Sequence, residues 1–170
     1  RARYYRFLDR WSCKMADLVI LDTQAHINYF AEEFNLGAGK FKRIWLGANP
    51  KMHHPRTTKL NSSQFSVLFW GSFIPLQGVD IILRAAKILE NEPIAFNLVG
   101  KGQTYDESAR LAGELKLKNV KFPGRLPDGQ LLEYIEKADV CLGVFSGNEK
   151  ADITIQNKIF ESLASRKPMI

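Results

Sequence analysis

Cysteine is scarce: Cys13 and Cys141 are the two in a chain of 170 residues, with no CxxC pair and no histidine at metal-ligand spacing beside either. That excludes a disulfide-stapled scaffold and a cysteine-rich zinc module, and leaves two buried free thiols in a reducing, cytoplasmic setting as the expectation. No apolar run approaches the roughly 20 residues that a membrane-spanning helix needs. The sequence also lacks G-x-G-x-x-G and a phosphate loop ending in Gly-Lys-Ser/Thr, and no Ser/His/Asp or Cys/His set can be assembled from its spacing. The first of these absences disfavours a nicotinamide-dependent oxidoreductase.

Hydrophobic residues make up 45% of the chain and charged residues 25%, which is ordinary globular usage and excludes collagen-like, low-complexity and disordered classes. Lys and Arg number 24 against 18 Asp and Glu, so 24 − 18 gives +6. Such a surplus suits a phosphate-bearing small molecule or an anionic lipid surface. Nucleic acid is not expected, because the basic residues are spread along the chain and form no block with interleaved aromatics. The basic stretch 1–10 reads either as a solvated helix or as a peripheral contact with the inner membrane face. The chain opens on Arg1 and stops at Ile170 within a strand pattern, so both ends read as cut.

Periodicity divides the chain. A short β-type run at 18–21 precedes a helical pattern at 25–35, with Thr23 as its cap and Gly37 as its stop, and 43–46 reads as another strand. Residues 47–64, with two prolines, His53, His54 and several Ser and Thr, have no apolar period and read as a linker. Beyond it, strands at 66–70, 95–99, 120–122 and 140–144, with a start of a fifth at 168–170, alternate with helices at 79–90, 105–117, 129–137 and 156–165. This alternation implies an α/β fold: a Rossmann-like parallel sheet with helices on both faces and ligands at the carboxyl ends of its strands.

Chemistry concentrates in a few places. Gly71 permits a tight exit from a strand, and Gly78 lets a helix N-terminus approach an anion; a plain βα turn is the other reading. Gly100-Lys101-Gly102 offers a second such turn with a cation. On a helix, Asn157 and Glu161 share a face and could hydrogen-bond the hydroxyls of a diol, while Lys158 and Glu161 could equally form a surface ion pair. His26 reads as a capping or surface residue and His53-His54 as solvated loop; no metal site is expected.

Taken in order, the motifs carry a resemblance. They run from Gly71 and Gly78-Val-Asp-Ile-Ile-Leu through Leu98-Val-Gly-Lys-Gly102, Asn119-Val-Lys-Phe-Pro-Gly124 and Ala138-Asp-Val-Cys-Leu to Asn157-Lys-Ile-Phe-Glu161-Ser-Leu-Ala-Ser-Arg-Lys-Pro168. The series resembles the donor-binding domain of GT-B glycosyltransferases of family 4. The upstream Ala16-Asp-Leu-Val-Ile-Leu-Asp-Thr and Arg43-Ile-Trp-Leu-Gly-Ala-Asn49 look like the end of the first domain and the hinge. The implied organisation is the C-terminal part of the acceptor domain over 1–47, an interdomain linker over 48–64 and an incomplete donor domain over 65–170.

The resemblance implies a retaining, metal-independent transfer of a sugar from a nucleoside diphosphate sugar to an acceptor hydroxyl, saccharide or lipid-linked, in polysaccharide assembly, without a cofactor. Glu161 would accept hydrogen bonds from the ribose hydroxyls, Gly71 and Gly78 would approach the diphosphate, and Arg125 and Leu126 would border the base. The first glutamate of the family's E-x7-E motif falls at Ile153, and its first-loop arginine and lysine fall at Ser72 and Gln77. Lys158, with Lys101, is then the candidate for neutralising the diphosphate. The family's catalytic histidine belongs to an earlier segment, so this fragment alone is expected to bind donor without turnover. The alternative is a non-catalytic nucleotide-sugar-binding subunit or pseudoenzyme.

Overall fold

The computed structural model describes residues 2–48, 64–147 and 149–170, and most of the linker expected at 48–64 lies outside them. The elements are α1 (Ala2–Met15), β1 (Val19–Leu21), α2 (Gln24–Phe34), β2 (Phe41–Arg43), β3 (Phe65–Trp70), α3 (Val79–Ile88), β4 (Ile94–Val99), α4 (Tyr105–Glu114), β5 (Val120–Gly124), α5 (Asp128–Lys137), β6 (Val140–Cys141), α6 (Glu149–Ile153) and α7 (Asn157–Ala164). They fall into two compact units. One comprises 1–46 with 152–155, and the other 47–151 with 156–170.

In the smaller unit β1 and β2 pair in parallel, Val19 opposite Phe41. Thr23 caps α2 as expected, its hydroxyl accepting from the His26 N–H at 3.0 Å. The same hydroxyl donates to the Ile153 carbonyl at 2.6 Å, which ties 152–155 into this unit. Two expectations need correction. Asn35 at φ 51°, not Gly37, ends α2, since asparagine tolerates the left-handed region that a helix C-terminus needs. The second strand lies at Phe41–Arg43, leaving Ile44, Trp45 and Leu46 exposed.

The larger unit is a four-stranded parallel sheet in the order β5-β4-β3-β6. Because side chains alternate along a strand, the continuous apolar run of β3 feeds two cores at once. Val67 and Phe69 join Phe73, Ile82, Leu83, Ala86, Phe96 and Leu98 on the face covered by α3 and α4. Leu68 and Trp70 join Val99, Ile135, Ala138 and Cys141 on the face covered by α5. Phe69 and Phe73 meet edge-on at 5.7 Å, and Phe73 meets Tyr105 at 5.1 Å. Asp139 registers β6 against β3: its Oδ2 accepts from the Ser66 N–H, and its own N–H donates to the Ser66 carbonyl, both at 2.8 Å.

The expected strand at 140–144 pairs as strand only over Val140–Cys141, and 168–170 contributes a single parallel bridge, Cys141 to Met169. Lys167 ties that last segment to the end of α5, donating to the carbonyls of Glu136 and Ala138 at 2.7 and 2.8 Å. The two cysteines are buried and unpaired, and burial pushes both thiols up. No described helix is long and apolar enough to cross a membrane.

Candidate active site

The carboxyl ends of the strands in the larger unit are built from glycine. β3 runs into Gly71, β4 into Gly100, and β5 closes on Gly124. The ends are laced together, the Gly71 N–H donating to the Val99 carbonyl at 3.0 Å and the Gly100 N–H to the Gly124 carbonyl at 2.8 Å. Gly100 sits at φ 138°, and a Cβ there would collide with the Gly71 carbonyl. Gly78, at φ 65°, begins α3 where a Cβ would lie 2.8 Å from the backbone of Phe145 and Ser146. Both turns therefore require glycine for space as well as for conformation.

Lys158, in the first turn of α7, is 6% exposed, and its side chain reaches back under the β3 turn. Its Nζ donates to Gln77 Oε1 at 2.7 Å and to the Gly143 carbonyl at 3.3 Å, and lies 4.1 Å from the centre of the Phe69 ring. A Cβ on Gly71 would stand 3.6 Å from that Nζ, so the ammonium sits directly beside the glycine exit of β3. Burial lowers the Lys158 pKa to about 7, against the opposing pull of the Glu161 carboxylate. Gln77 is itself buried; its Nε2 faces Gln156 Oε1 at 3.5 Å and its carbonyl accepts from the Phe145 N–H.

Glu161 stands one turn further along α7, half-buried, and its Oε2 accepts from the indole N–H of Trp70 at 2.9 Å. Lys158 and Glu161 do not form the surface ion pair that their spacing allowed: Lys158 donates to Gln77 and the Gly143 carbonyl, and Glu161 accepts from Trp70 at the end of β3. Asn157 opens α7 and is exposed. On the neighbouring strand end, Lys101 is exposed and lays its Nζ over the Tyr105 ring, 3.3 Å from the centre, with Gly124 beneath its stem. Arg125 is exposed, and Leu126 packs against the core face that contains Ile135.

The structure thus gathers Gly71, Lys158 and Glu161 around the end of β3, and places Lys101, Arg125 and Leu126 at the ends of β4 and β5. Sequence spacing could not reveal that Trp70 orients Glu161 or that Gln77 receives Lys158, since 91 and 81 residues separate the partners. The arrangement offers a buried lysine amine, which a bound anion would hold protonated, and glycine backbone, next to a carboxylate suited to hydroxyls. Among the described residues no three His, Cys, Asp or Glu side chains cluster as a metal ion would require.

Comparison with known proteins agrees with this architecture. Over 107 residues, 60% of this chain, the sequence is 29% identical to the "Probable glycosyltransferase WbjE" of Pseudomonas aeruginosa and spans 25% of its length. Among solved structures, sucrose-phosphate synthase from Thermosynechococcus elongatus superposes with a TM-score of 0.80 at 21% identity, over 98% of this chain and 43% of that one. HepE from Anabaena, in complex with UDP and glucose, gives 0.78 at 20% identity, over 93% and 45%. The chain therefore spans less than half the length of each of these proteins. A family model described as "Glycosyl transferases group 1" matches residues 64–170, and the chain belongs to that family.

Proposed function

We propose that the larger unit is the donor-nucleotide site of a retaining transferase that moves a sugar from a nucleoside diphosphate sugar to a saccharide or lipid-linked acceptor hydroxyl. In this reading residues 1–47 are the end of the acceptor domain, and the linker and the donor domain follow. The observation that carries it is the convergence of Lys158, the Gly71 turn and the Trp70-held Glu161 at one strand end. Glu161 takes the ribose hydroxyls, while Gly71, Gly78 and Lys158 take the diphosphate. Asn157 and Lys101 border that site, and Arg125 with Leu126 flanks the base. A relative of the same fold holds UDP, which makes UDP the first nucleotide to try.

As the sugar–phosphate bond breaks, negative charge grows on the leaving diphosphate, and a buried lysine that the bound diphosphate keeps protonated stabilises it. In the full-length protein, Lys158→Ala should accordingly lower turnover more than it weakens donor binding; equal effects on both would remove Lys158 from that role. The reading itself is tested by titrating UDP, GDP and ADP into this chain by calorimetry, with Glu161→Ala alongside. One nucleotide should bind and the substitution should abolish binding. If none binds, or if Glu161→Ala binds equally well, the assignment is wrong.

The non-catalytic alternative rests on Ile153, Ser72 and Gln77 standing where the resembling family carries a glutamate and two cations. Donor binding without transfer by the full-length protein would favour it. A membrane contact is a separate proposal, resting on α1. Tyr4, Phe7, Leu8, Trp11 and Met15 share one face at helical spacing, all but Leu8 more than half exposed, with Arg3, Arg10 and Lys14 along its border. Cosedimentation with phosphatidylglycerol vesicles and not with phosphatidylcholine ones is the expected result, and equal pelleting with both, or with neither, overturns it.

A further inference from the structure

We infer that Trp70 is a positioning residue that sets the selectivity of this site for a ribose diol, by holding Glu161 in the one orientation that leaves its remaining lone pairs free for two neighbouring hydroxyls. The inference rests on the donor-site reading and adds a residue that no sequence motif marks.

A tryptophan N–H is a donor only, and when the ring is buried that N–H needs an acceptor. Trp70 is 5% exposed at the end of β3, in one buried cluster with Leu68, Val99, Ile135 and Cys141, so its ring is confined and its N–H is aimed from a rigid strand. Glu161, by contrast, is half-buried on a helix and has a flexible stem. The 2.9 Å hydrogen bond therefore transfers the rigidity of the sheet to the carboxylate. An ionised carboxylate has about four acceptor sites. The indole occupies one on Oε2, and among the described residues no side chain is hydrogen-bonded to Oε1.

A fixed carboxylate edge accepts two adjacent hydroxyls at once, as a ribose 2′,3′-diol presents them. A freely rotating one would spend part of its binding energy on being ordered. The competing view is that Glu161 merely satisfies the buried N–H of Trp70. The two views diverge once the N–H is removed and an aromatic ring is kept in its place.

The decisive experiment is Trp70→Phe in the present chain, titrated with whichever of UDP, GDP and ADP the unaltered chain binds and with its 2′,3′-dideoxy counterpart. The expected result is about a tenfold weaker ribonucleotide, an unchanged dideoxynucleotide and hence a collapse of the preference between them. A preserved preference, or equal weakening of both ligands, overturns the inference while leaving the donor site intact. If no nucleotide binds the unaltered chain, the site and the inference fall together. A second measurement needs no substitution and covers the case in which Trp70→Phe does not fold. The indole N–H resonance of Trp70, in chain carrying 15N-labelled tryptophan, should move on adding the ribonucleotide and much less with the dideoxy form; equal movement with both counts against the inference.

Discussion

After β3 the chain turns through Gly71 and Gly78 and receives its lysine from elsewhere: Lys158 arrives from α7, buried, bonded to Gln77 and Gly143 and lying over Phe69. After β4 the turn from Gly100 to Gly102 supplies its own lysine, and Lys101 rests exposed on the face of Tyr105. An exposed ammonium over an aromatic ring is held by roughly 0.5–1 kcal/mol and is screened by salt. A buried one has lost its hydration, so it acts more strongly on an approaching anion and weakens the fold until that anion comes. Two lysines at the ends of adjacent strands thus have different work available to them.

The most drastic way to break the comparison is to separate the turns. Gly100→Val drives a side chain into the Gly71 carbonyl and demands a backbone conformation that branched residues avoid. A loss of about 3 kcal/mol or more is expected, read as a lower denaturant midpoint and weaker nucleotide binding. Unchanged stability would mean that the two turns are not locked together as described.

Next in size is the removal of the buried charge. Lys158→Met fills nearly the same volume with apolar atoms and should weaken the nucleoside diphosphate that the unaltered chain binds by roughly ten- to a hundredfold, with a smaller effect on the corresponding nucleotide sugar, whose diphosphate carries less charge. Calorimetry on both ligands checks this, and a larger loss for the nucleotide sugar than for the nucleoside diphosphate would refute the charge argument.

The same lysine predicts a pH dependence. Its pKa is lowered in the folded chain, from an ordinary 10.5 to about 7. Between those values the unfolded chain holds a proton that the folded chain lacks, so this group makes stability fall as pH drops from about 10 towards 7, by up to about 1.4 kcal/mol per pH unit. Below 7 both states are protonated and the trend flattens. Denaturant midpoints of the unaltered chain and Lys158→Met, taken at pH 7 and 9, should therefore converge at the higher pH; parallel behaviour would rule the mechanism out. Diphosphate binding should show the complementary trend, tightening as pH falls from 9 to 7 because the bound anion favours the protonated amine.

The contrast between the two lysines was only partly legible in the sequence. The sheet was readable because β3 and β4 are mostly apolar runs flanked by amphipathic helices, and their pattern leaves few alternatives. Local chemistry near element ends was harder. Asn35 displaced Gly37 as a stop, and the apolar run Ile44-Trp45-Leu46 stayed exposed while pairing fell on Phe41–Arg43. The short α6, over Glu149–Ile153, has no apolar period to announce it. At the site, Lys158 and Glu161 could be named from one helix turn, but their spacing favours a mutual surface pair as much as anything else. What separates them is their partners, Gln77 in the turn before α3 and Trp70 at the end of β3, which only folding brings to α7.

The smallest effect is expected at Lys101, and it is the most useful for sharpening the comparison. Lys101→Ala removes an exposed charge and a ring contact, so folding stability should change by less than about 1 kcal/mol. Affinity for the nucleoside diphosphate that the unaltered chain binds should fall by no more than about threefold at physiological salt, where a surface charge is screened within about 8 Å. Lowering the salt lengthens that reach, and the cost of Lys101→Ala should grow. Lys158, shielded from solvent ions by the protein around it, should show a cost of substitution that hardly moves with salt. Titrating that nucleoside diphosphate into both variants at about 20 and 200 mM salt therefore distinguishes a steering cation from a binding one. If the two variants respond alike, Lys101 and Lys158 form one electrostatic site, and burial is not what sets them apart.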